Sequence, residues 1–305
     1  MDKHVALLTG GTGFLGKIFQ EELRLQYALF TLGRSSQNDI SIDLSVDLPV
    51  FTQKFDLVVH NAGKAHTIPK TAREAEAFWA LNHQGTLRLL AALEHTGYFP
   101  QCFVYISSVA VYGFEAGINI DETSPLLAKT PYAQSKLAAE RAIQAWGLQH
   151  GVPTVILRLP LVVGPNPPGN LAKIAKAIQK GRYVRIQHNN AQKSAVLGAD
   201  VARLIGTLQG KSGTYNLTDG VHPTFESIEY AISAALKRPI RWSVPKGLLH
   251  LAASIGDYLP GFPLKSPVFH KLTSSLTFND ALARKNLGWK PNPVLPLLAD
   301  HATWV

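Results

Sequence analysis

Thr9-Gly10-Gly11-Thr12-Gly13-Phe14-Leu15-Gly16 is the stretch on which the reading of this chain turns. Before it runs His4-Val-Ala-Leu-Leu-Thr9, apolar, short and close enough to glycine to be a buried parallel strand. After it Phe14, Leu15, Ile18, Phe19, Leu23 and Leu25 recur at helical spacing, with Lys17, Gln20, Glu21 and Glu22 between them. The glycines therefore sit on a strand-to-helix turn. A helix N-terminus presents unpaired N–H groups and a partial positive charge, and the bare backbone at Gly10, Gly13 and Gly16 lets a pyrophosphate come close. Without the strand and the helix, the same three-residue spacing would mark only a tight turn with a glycine at the helix-packing position.

A chain of 305 residues can bury a sizeable core, as one large domain or as a domain with a smaller partner. No charged leader with an apolar core and cleavage site opens it, and no apolar run reaches the roughly 18 residues that span a bilayer. Its one cysteine, Cys102, rules out an internal disulfide and lies in an apolar run, where an inert buried thiol is expected. A cytoplasmic protein is the default expectation. The net charge of +9 is uneven: residues 1–150 carry 12 Lys and Arg against 14 Asp and Glu, residues 151–305 carry 18 against 7. A basic face can attract nucleic acid, a membrane surface or a small polyanion. These charges stand singly, without basic runs or a nucleic-acid motif, which favours the small anion.

Tyr27 to Leu32 reads as the second strand, followed by Gly33-Arg34-Ser35. A carboxylate at the end of this strand would bind the adenosine ribose; here it is missing, and Arg34 can meet a 2′-phosphate instead, pointing to NADP(H) over NAD(H). Asp43-Leu44, after the strand-like Ile40–Ile42, offers an acceptor for the adenine amino group or simply a cap. Phe55 to Val59 is a strand running into His60-Asn61-Ala62-Gly63, whose small residues let the backbone pass a cofactor. His66 follows without a second ligand at metal spacing, so no metal is expected. A helix is expected over Thr71–Glu94, carrying Asn82 and Gly85. Phe103–Ile106 is a buried strand that delivers Ser107-Ser108-Val-Ala-Val-Tyr112-Gly113 to its carboxyl end, where ligands bind in open parallel sheets.

Pro131-Tyr132-Ala-Gln-Ser-Lys136-Leu-Ala-Ala-Glu140 starts a further helix, with Tyr132 and Lys136 four apart on one face. A tyrosine's pKa near 10 is too high for acid–base work at neutral pH, and an ammonium one turn away together with an oxidised nicotinamide would lower it. Spacing alone does not separate this from a surface pair. Val155 to Leu159 is the next strand, and Gly164-Pro-Asn-Pro-Pro-Gly169-Asn170 is the best domain boundary. The expected division is a dinucleotide domain over 1–165, with 190–220 returning to it, and a substrate-binding region over 166–305. Gly247–Tyr258 is an apolar helix with few basic residues, expected to pack against the main domain rather than lie on a membrane.

In combination, TGGTGFLG, HNAG, Asn82 with Gly85-Thr86, SSVAVYG, Tyr132-x-x-x-Lys136, Arg158 before a Gly-Pro turn, Asp200-Val-Ala and the closing Thr277–Pro291 stretch resemble the extended short-chain dehydrogenase/reductase superfamily. More narrowly they are similar to its NAD(P)-dependent epimerase/dehydratase family acting on nucleotide sugars. The resemblance covers nearly the whole chain and implies a Rossmann-type doubly wound α/β fold with a smaller mixed C-terminal region. It implies Tyr132 as general acid/base, Lys136 on the nicotinamide ribose and Ser108 on the reacting oxygen. Cofactor contacts are then expected from Gly10, Gly13, Phe14, Leu15, Gly16, Arg34, Asp43, Leu44, Asn61, Ala62, Gly63, Asn82, Tyr132 and Lys136, and substrate contacts from Ser108, Asn170 and Lys193. Relatives often pair as homodimers through two long helices of each subunit.

Departures from the family pattern narrow the activity. Val109 and Ala110 stand where the 4,6-dehydratases place Asp and Glu to move protons during water loss, which argues against dehydration. Lys193 stands for a frequent arginine and lacks its bidentate fork, and Val163 stands for a frequent tyrosine. The expected function is an NAD(P)-dependent 4-ketoreductase or 4-epimerase of a nucleotide-linked sugar, with NADP(H) preferred. A reductase of an apolar carbonyl compound is the alternative, separable by a basic or an apolar lining of the C-terminal pocket. A non-catalytic NADP-binding protein would have no need for Ser108, Tyr132 and Lys136 together.

Overall fold

Segments such as Val5-Ala-Leu-Leu and Leu57-Val-Val, apolar at every position, have no polar face to turn to water and form inner strands of a parallel sheet. The computed structural model describes residues 3–65, 67–259 and 265–304. The chain opens with β1 (Val5–Thr9), α1 (Phe14–Gln26), β2 (Ala28–Gly33), β3 (Ile40–Ser41) and β4 (Leu57–His60). Then come α2 (Ala72–Trp79), a π-helical turn over Ala80–Gln84, α3 (Gly85–His95), β5 (Cys102–Ser108), a 3-10 turn over Val109–Tyr112, β6 (Gly117–Ile120), α4 (Pro131–His150) and β7 (Thr154–Leu159). The remainder runs through β8 (Leu161–Val163), α5 (Gly169–Gln179), β9 (Val184–Ile186), β10 (Ala195–Leu197), α6 (Gly198–Ile205), β11 (Gly213–Asn216), α7 (Phe225–Ala235) and β12 (Trp242–Val244). It closes with α8 (Lys246–Gly256), α9 (Ser266–Thr273), β13 (Leu276–Phe278), α10 (Ala281–Leu287) and α11 (Leu295–Leu298).

Among the described residues, seven strands form one sheet in the order β3-β2-β1-β4-β5-β7-β11, parallel throughout. This is the expected Rossmann-type α/β fold. Alternate strand residues face opposite layers. Leu8, Val59, Val104 and Leu157 pack under Phe19 and Leu23 of α1 and Val201 and Ile205 of α6. Leu7, Val58, Phe103 and Ile156 pack under Leu89 and Leu93 of α3 and Ile143 and Trp146 of α4. Each fully buried leucine here contributes roughly 2–3 kcal/mol. Successive strands run outward from β1 on one side and from β4 on the other, so the crevice at their carboxyl ends is the switch point where such sheets take ligands.

A second core gathers Val163, Leu171, Ile178, Ala195, Ile228, Ile232, Val294 and Leu298. Around it and along its border with the sheet lie the two-stranded pairs β8/β10, β9/β12 and β6/β13. β11 returns to the main sheet beside β7, and α6 packs on α1.

Two helices differ from expectation. The run over Thr71–Glu94 is interrupted by the π turn, whose wider winding brings fully buried Asn82 onto Lys64 and Ser135. The helix expected over Gly247–Tyr258 forms as α8 but packs on α9, leaving Leu248, Leu251, Ile255 and Tyr258 exposed rather than covered by the main domain. The cause is its composition: the buried positions are the small Ala253 and Gly256, which admit a close neighbour with Leu249 half-buried between them, and the other large side chains lie on the far side.

Candidate active site

Thr9, the last residue of β1, ties the two loops at the switch point. Its hydroxyl accepts from the backbone N–H groups of Asn61 (3.2 Å) and Ala62 (3.0 Å) and lies 2.7 Å from His60 Nδ1. Burial pulls the His60 imidazole down to about 3, so it is a neutral spacer, bonded on its other side to Thr86 Oγ1. The loops then approach as only glycine allows. Gly10 has φ +70°, and a Cβ there would lie 2.8 Å from Ala62 Cα; a Cβ on Gly16 would lie 2.1 Å from the Gly10 carbonyl oxygen. Gly13 caps α1, whose first N–H groups have no partner within the helix and point into the crevice.

A cavity of about 1380 Å³ opens here. It exceeds the roughly 300–1,000 Å³ common for single-ligand clefts and has room for two ligands side by side. Gly10, Gly13, Phe14, Leu15, Arg34, Asp43, Leu44, Asn61, Ala62, Gly63, Ser108, Tyr132, Lys136 and Asn170 all line it. Arg34 is exposed and, among the described residues, has no carboxylate in salt-bridge reach. Asp43 lines the wall and also caps its own turn, accepting from Ser45 N at 2.9 Å.

Three residues expected at the ligand lie elsewhere. Gly16 is the packing position described above. Asn82 braces the wall from behind: its Oδ1 accepts from Lys64 N at 2.7 Å, and its Nδ2 donates to Lys64 O and to Ser135 Oγ. Lys193 is not on the cavity wall; its ammonium donates to the carbonyls of Lys271 (2.9 Å) and Ser274 (2.7 Å), holding the end of α9. The cations that α5 and α9 do supply to the wall are Lys173 and Lys271, which the sequence reading missed because two lone lysines a hundred residues apart carry no spacing signal. His66 lies outside the described residues. Cys102 is buried within β5, and burial pushes its thiol up to about 12.

The proton-handling group sits where β5 ends against α4. Thr130 caps α4 by accepting from Ala133 N at 3.2 Å, and Pro131 takes the first turn, which sets Tyr132 and Lys136 on the inner face. Burial pushes the Tyr132 phenol up, and its hydrogen bond with Ser108 offsets part of that. The Lys136 ammonium donates to the Ile106 carbonyl at 2.8 Å and stands 4.6 Å over the Tyr105 ring. Burial pulls it down to about 8, with Glu140 opposing. Glu140, one further turn along α4, accepts from Ser107 Oγ at 2.5 Å and from Arg158 Nη2 at 2.7 Å. Arg158 also donates to the Tyr112 hydroxyl at 3.0 Å, which in turn donates to Asn216 Oδ1 at 2.8 Å. This buried network fixes the floor beneath Lys136; its signal was the third member of the four-residue ladder Tyr132, Lys136, Glu140.

A parallel sheet with a glycine turn at its switch point and a Ser/Tyr/Lys group at a neighbouring strand end defines a dinucleotide-dependent enzyme. The residues fit that cofactor, since a Cβ at Gly10 would close the cradle and one at Gly63 would sit 3.2 Å from Lys136 Nζ. The model of the NAD dependent epimerase/dehydratase family matches residues 6–217, and the chain belongs to that family. With it the chain is an NAD(P)-dependent enzyme of the extended short-chain dehydrogenase/reductase type.

Human dTDP-D-glucose 4,6-dehydratase is 33% identical over 187 residues, 59% of this chain and 53% of that one, so the match spans about half of the relative's length. GDP-6-deoxy-D-mannose reductase of Pseudomonas aeruginosa is 33% identical over 204 residues, 64% of each chain. The structure of RMD from Pseudomonas aeruginosa complexed with NADPH superposes with a TM-score of 0.75 at 23% identity, over 98% of this chain and 99% of that one, a likeness of fold. Among the described residues no helix is long and apolar enough to cross a membrane.

Proposed function

We propose that the chain moves a hydride between NADP(H) and carbon 4 of a nucleotide-linked sugar, as a 4-ketoreductase or 4-epimerase, with reduction by NADPH the favoured direction. The observation that carries this reading is the charge of the cavity wall: Arg34, Lys64, Lys129, Lys136, Lys173 and Lys271 against the single carboxylate of Asp43. Such a wall suits two ligands that each carry phosphates. It does not suit dehydration, which needs a side-chain acid and base beside the sugar; Val109 and Ala110 occupy the positions after Ser108. Nor does it favour an apolar carbonyl compound, because the charged residues that the substrate-binding region over 166–305, the second lobe, brings to the wall beside Asn170 are the cations Lys173 and Lys271.

The bound nicotinamide supplies or accepts the hydride. The Ser108 hydroxyl holds the sugar oxygen, and the Tyr132 phenol gives that oxygen its proton in reduction. A phenol pushed up by burial stays protonated at neutral pH, as a proton donor must. Lys136, anchored on Ile106, places a positive charge beside the phenolate that reduction leaves behind. Arg34 provides a guanidinium for a ribose 2′-phosphate.

The test is loss of reduced-nicotinamide absorbance when the protein is given NADPH or NADH with nucleotide 4-ketosugars. Turnover with NADPH preferred is expected. Reduction of an apolar ketone with no turnover of any nucleotide 4-ketosugar would overturn the substrate class, and preference for NADH would overturn the role of Arg34.

A further inference from the structure

We propose that α8, with the strand that leads into it, docks this protein on the surface of an anionic lipid bilayer. Leu248, Leu251 and Ile255 of α8 and Tyr258 just beyond it fall within about 80° of arc at roughly 100° per residue, one continuous stripe. All four are exposed, Leu251 by 59% and Tyr258 by 88%. Trp242, just ahead of α8, is 63% exposed as well. The inner face meets α9: Ala253 and Gly256 are buried, Leu249 is half-buried, and His250, itself exposed, packs on Phe269 of α9 with ring centroids 5.1 Å apart. Among the described residues α9 is the helix that α8 packs on, and the stripe lies outside that contact.

Charge identifies the occupant. Residues 237–271 carry six Lys and Arg, at 237, 238, 241, 246, 265 and 271, against the single acid Asp257. The apolar stripe, with Trp242 ahead of it and Tyr258 at its end, has the anchors of a helix lying in a headgroup layer; α8 itself carries only Lys246, and the flanking segments supply the other five cations. There the lysine stems rest on apolar surface while their ammonium groups reach lipid phosphates. A second copy of the chain would bring six cations against six. An eleven-residue helix, about 16 Å long and 10–12 Å across, offers on the order of 200 Å² of face, against roughly 800 Å² per partner in a stable protein interface. Lys271, at the end of the α8/α9 pair, lines the cavity, so the docking face adjoins the second-lobe wall of the active site. Nothing in this placement depends on which carbonyl is reduced.

The experiment is co-sedimentation of the full chain with phosphatidylcholine vesicles, with and without about one-third phosphatidylglycerol. Binding at least tenfold stronger to the anionic vesicles, and lost in about 0.5 M salt, is expected. Leu248→Ser, Leu251→Ser and Ile255→Ser together should abolish it while circular dichroism and the melting midpoint stay as in the parent. If that variant does not fold, Lys246→Glu with Lys265→Glu serves in its place and should weaken binding about tenfold. The proposal is overturned if anionic vesicles do not retain the protein, if neutral vesicles retain it equally, or if the folded variant binds as well as the parent. It is also overturned if sedimentation velocity finds a dimer that the triple substitution converts to monomer.

Discussion

Each lobe buries one glutamate to 1% exposure, Glu140 beneath the active site and Glu229 in the second lobe, and the two are treated oppositely. Both oxygens of Glu140 are taken: Arg158 holds them as a fork, and Ser107 adds a third donor. Glu229 has the Tyr183 hydroxyl on one oxygen at 2.5 Å and, among the described residues, no partner on the other. Burial, with the nearby Glu226 carboxylate adding to it, pushes the Glu229 carboxyl up to about 7 against the pull of the Tyr183 hydrogen bond and of Arg185. A buried charge is tolerated cheaply only when its lone pairs are filled. The first lobe meets that condition where its geometry must be rigid, under Lys136. The second lobe supplies cavity-wall residues from α5 and α9 and tolerates a group near its point of neutrality.

The contrast is sharpest for chemistry. Tyr132→Phe is expected to lower kcat by about 10³-fold or more while the affinity for NADPH, read by nicotinamide fluorescence, changes less than about threefold. A variant that kept most of its kcat would move the proton transfer to another group. Next in size is Glu140→Ala, which leaves Arg158 buried without its partner and should cost roughly 3–4 kcal/mol in denaturant unfolding. It also removes the charge that opposes the burial of Lys136, so the ammonium should fall further below about 8 and activity near neutral pH should drop. Unchanged stability would mean that the ion pair is open to water.

In the second lobe the same kind of change should touch binding alone. Lys173→Ala and Lys271→Ala each remove one cation from the wall and should raise KM for a nucleotide sugar about tenfold, with kcat and melting midpoint held. A fall in kcat with KM unchanged would put these lysines at the reacting carbon and blur the division between the lobes.

How much of this was legible in the sequence follows the same division. The sheet was, because strands apolar at every position have no amphipathic alternative, and the glycine turn was, because Gly10 and Gly16 stand where any Cβ would strike backbone. Ser108, Tyr132 and Lys136 were legible through the resemblance to the family pattern, since the four-residue step alone also fits a surface pair. The second-lobe wall was not, since Lys173 and Lys271 meet only through tertiary packing. Lys193 was expected at the substrate from its place in the family pattern, yet two carbonyls near the end of α9 claim its ammonium. The apolar run also located α8 without telling which of its faces is buried; the small Ala253 and Gly256, with Leu249 half-buried beside them, turned out to be the packing face. The π turn at Asn82 has no signature in spacing, because it is selected by what Asn82 bonds and not by the residues of the turn.

The smallest expected effect is the one that tests the opening contrast directly. The Glu229 carboxyl is near 7 in the folded protein and near 4.5 as an ordinary glutamate, so between those values the folded state binds more protons than the unfolded one. Stability conferred by the protonated form is complete below about 4.5 and is lost as pH rises through about 7. Glu229→Gln keeps an acceptor for Tyr183 and removes the charge. It should raise the unfolding free energy by about 1 kcal/mol at pH 8 and leave it nearly unchanged at pH 4.5. The N–H groups that the glutamine amide brings into a buried site keep the gain modest. A loss of stability at pH 8 would mean that the free oxygen is satisfied by water and that both lobes fill their buried carboxylates alike. A matching Glu140→Gln, where the charge is fully bonded, should destabilise at both pH values, and it is the opposite sign of the two glutamine variants that separates a paired charge from a stranded one.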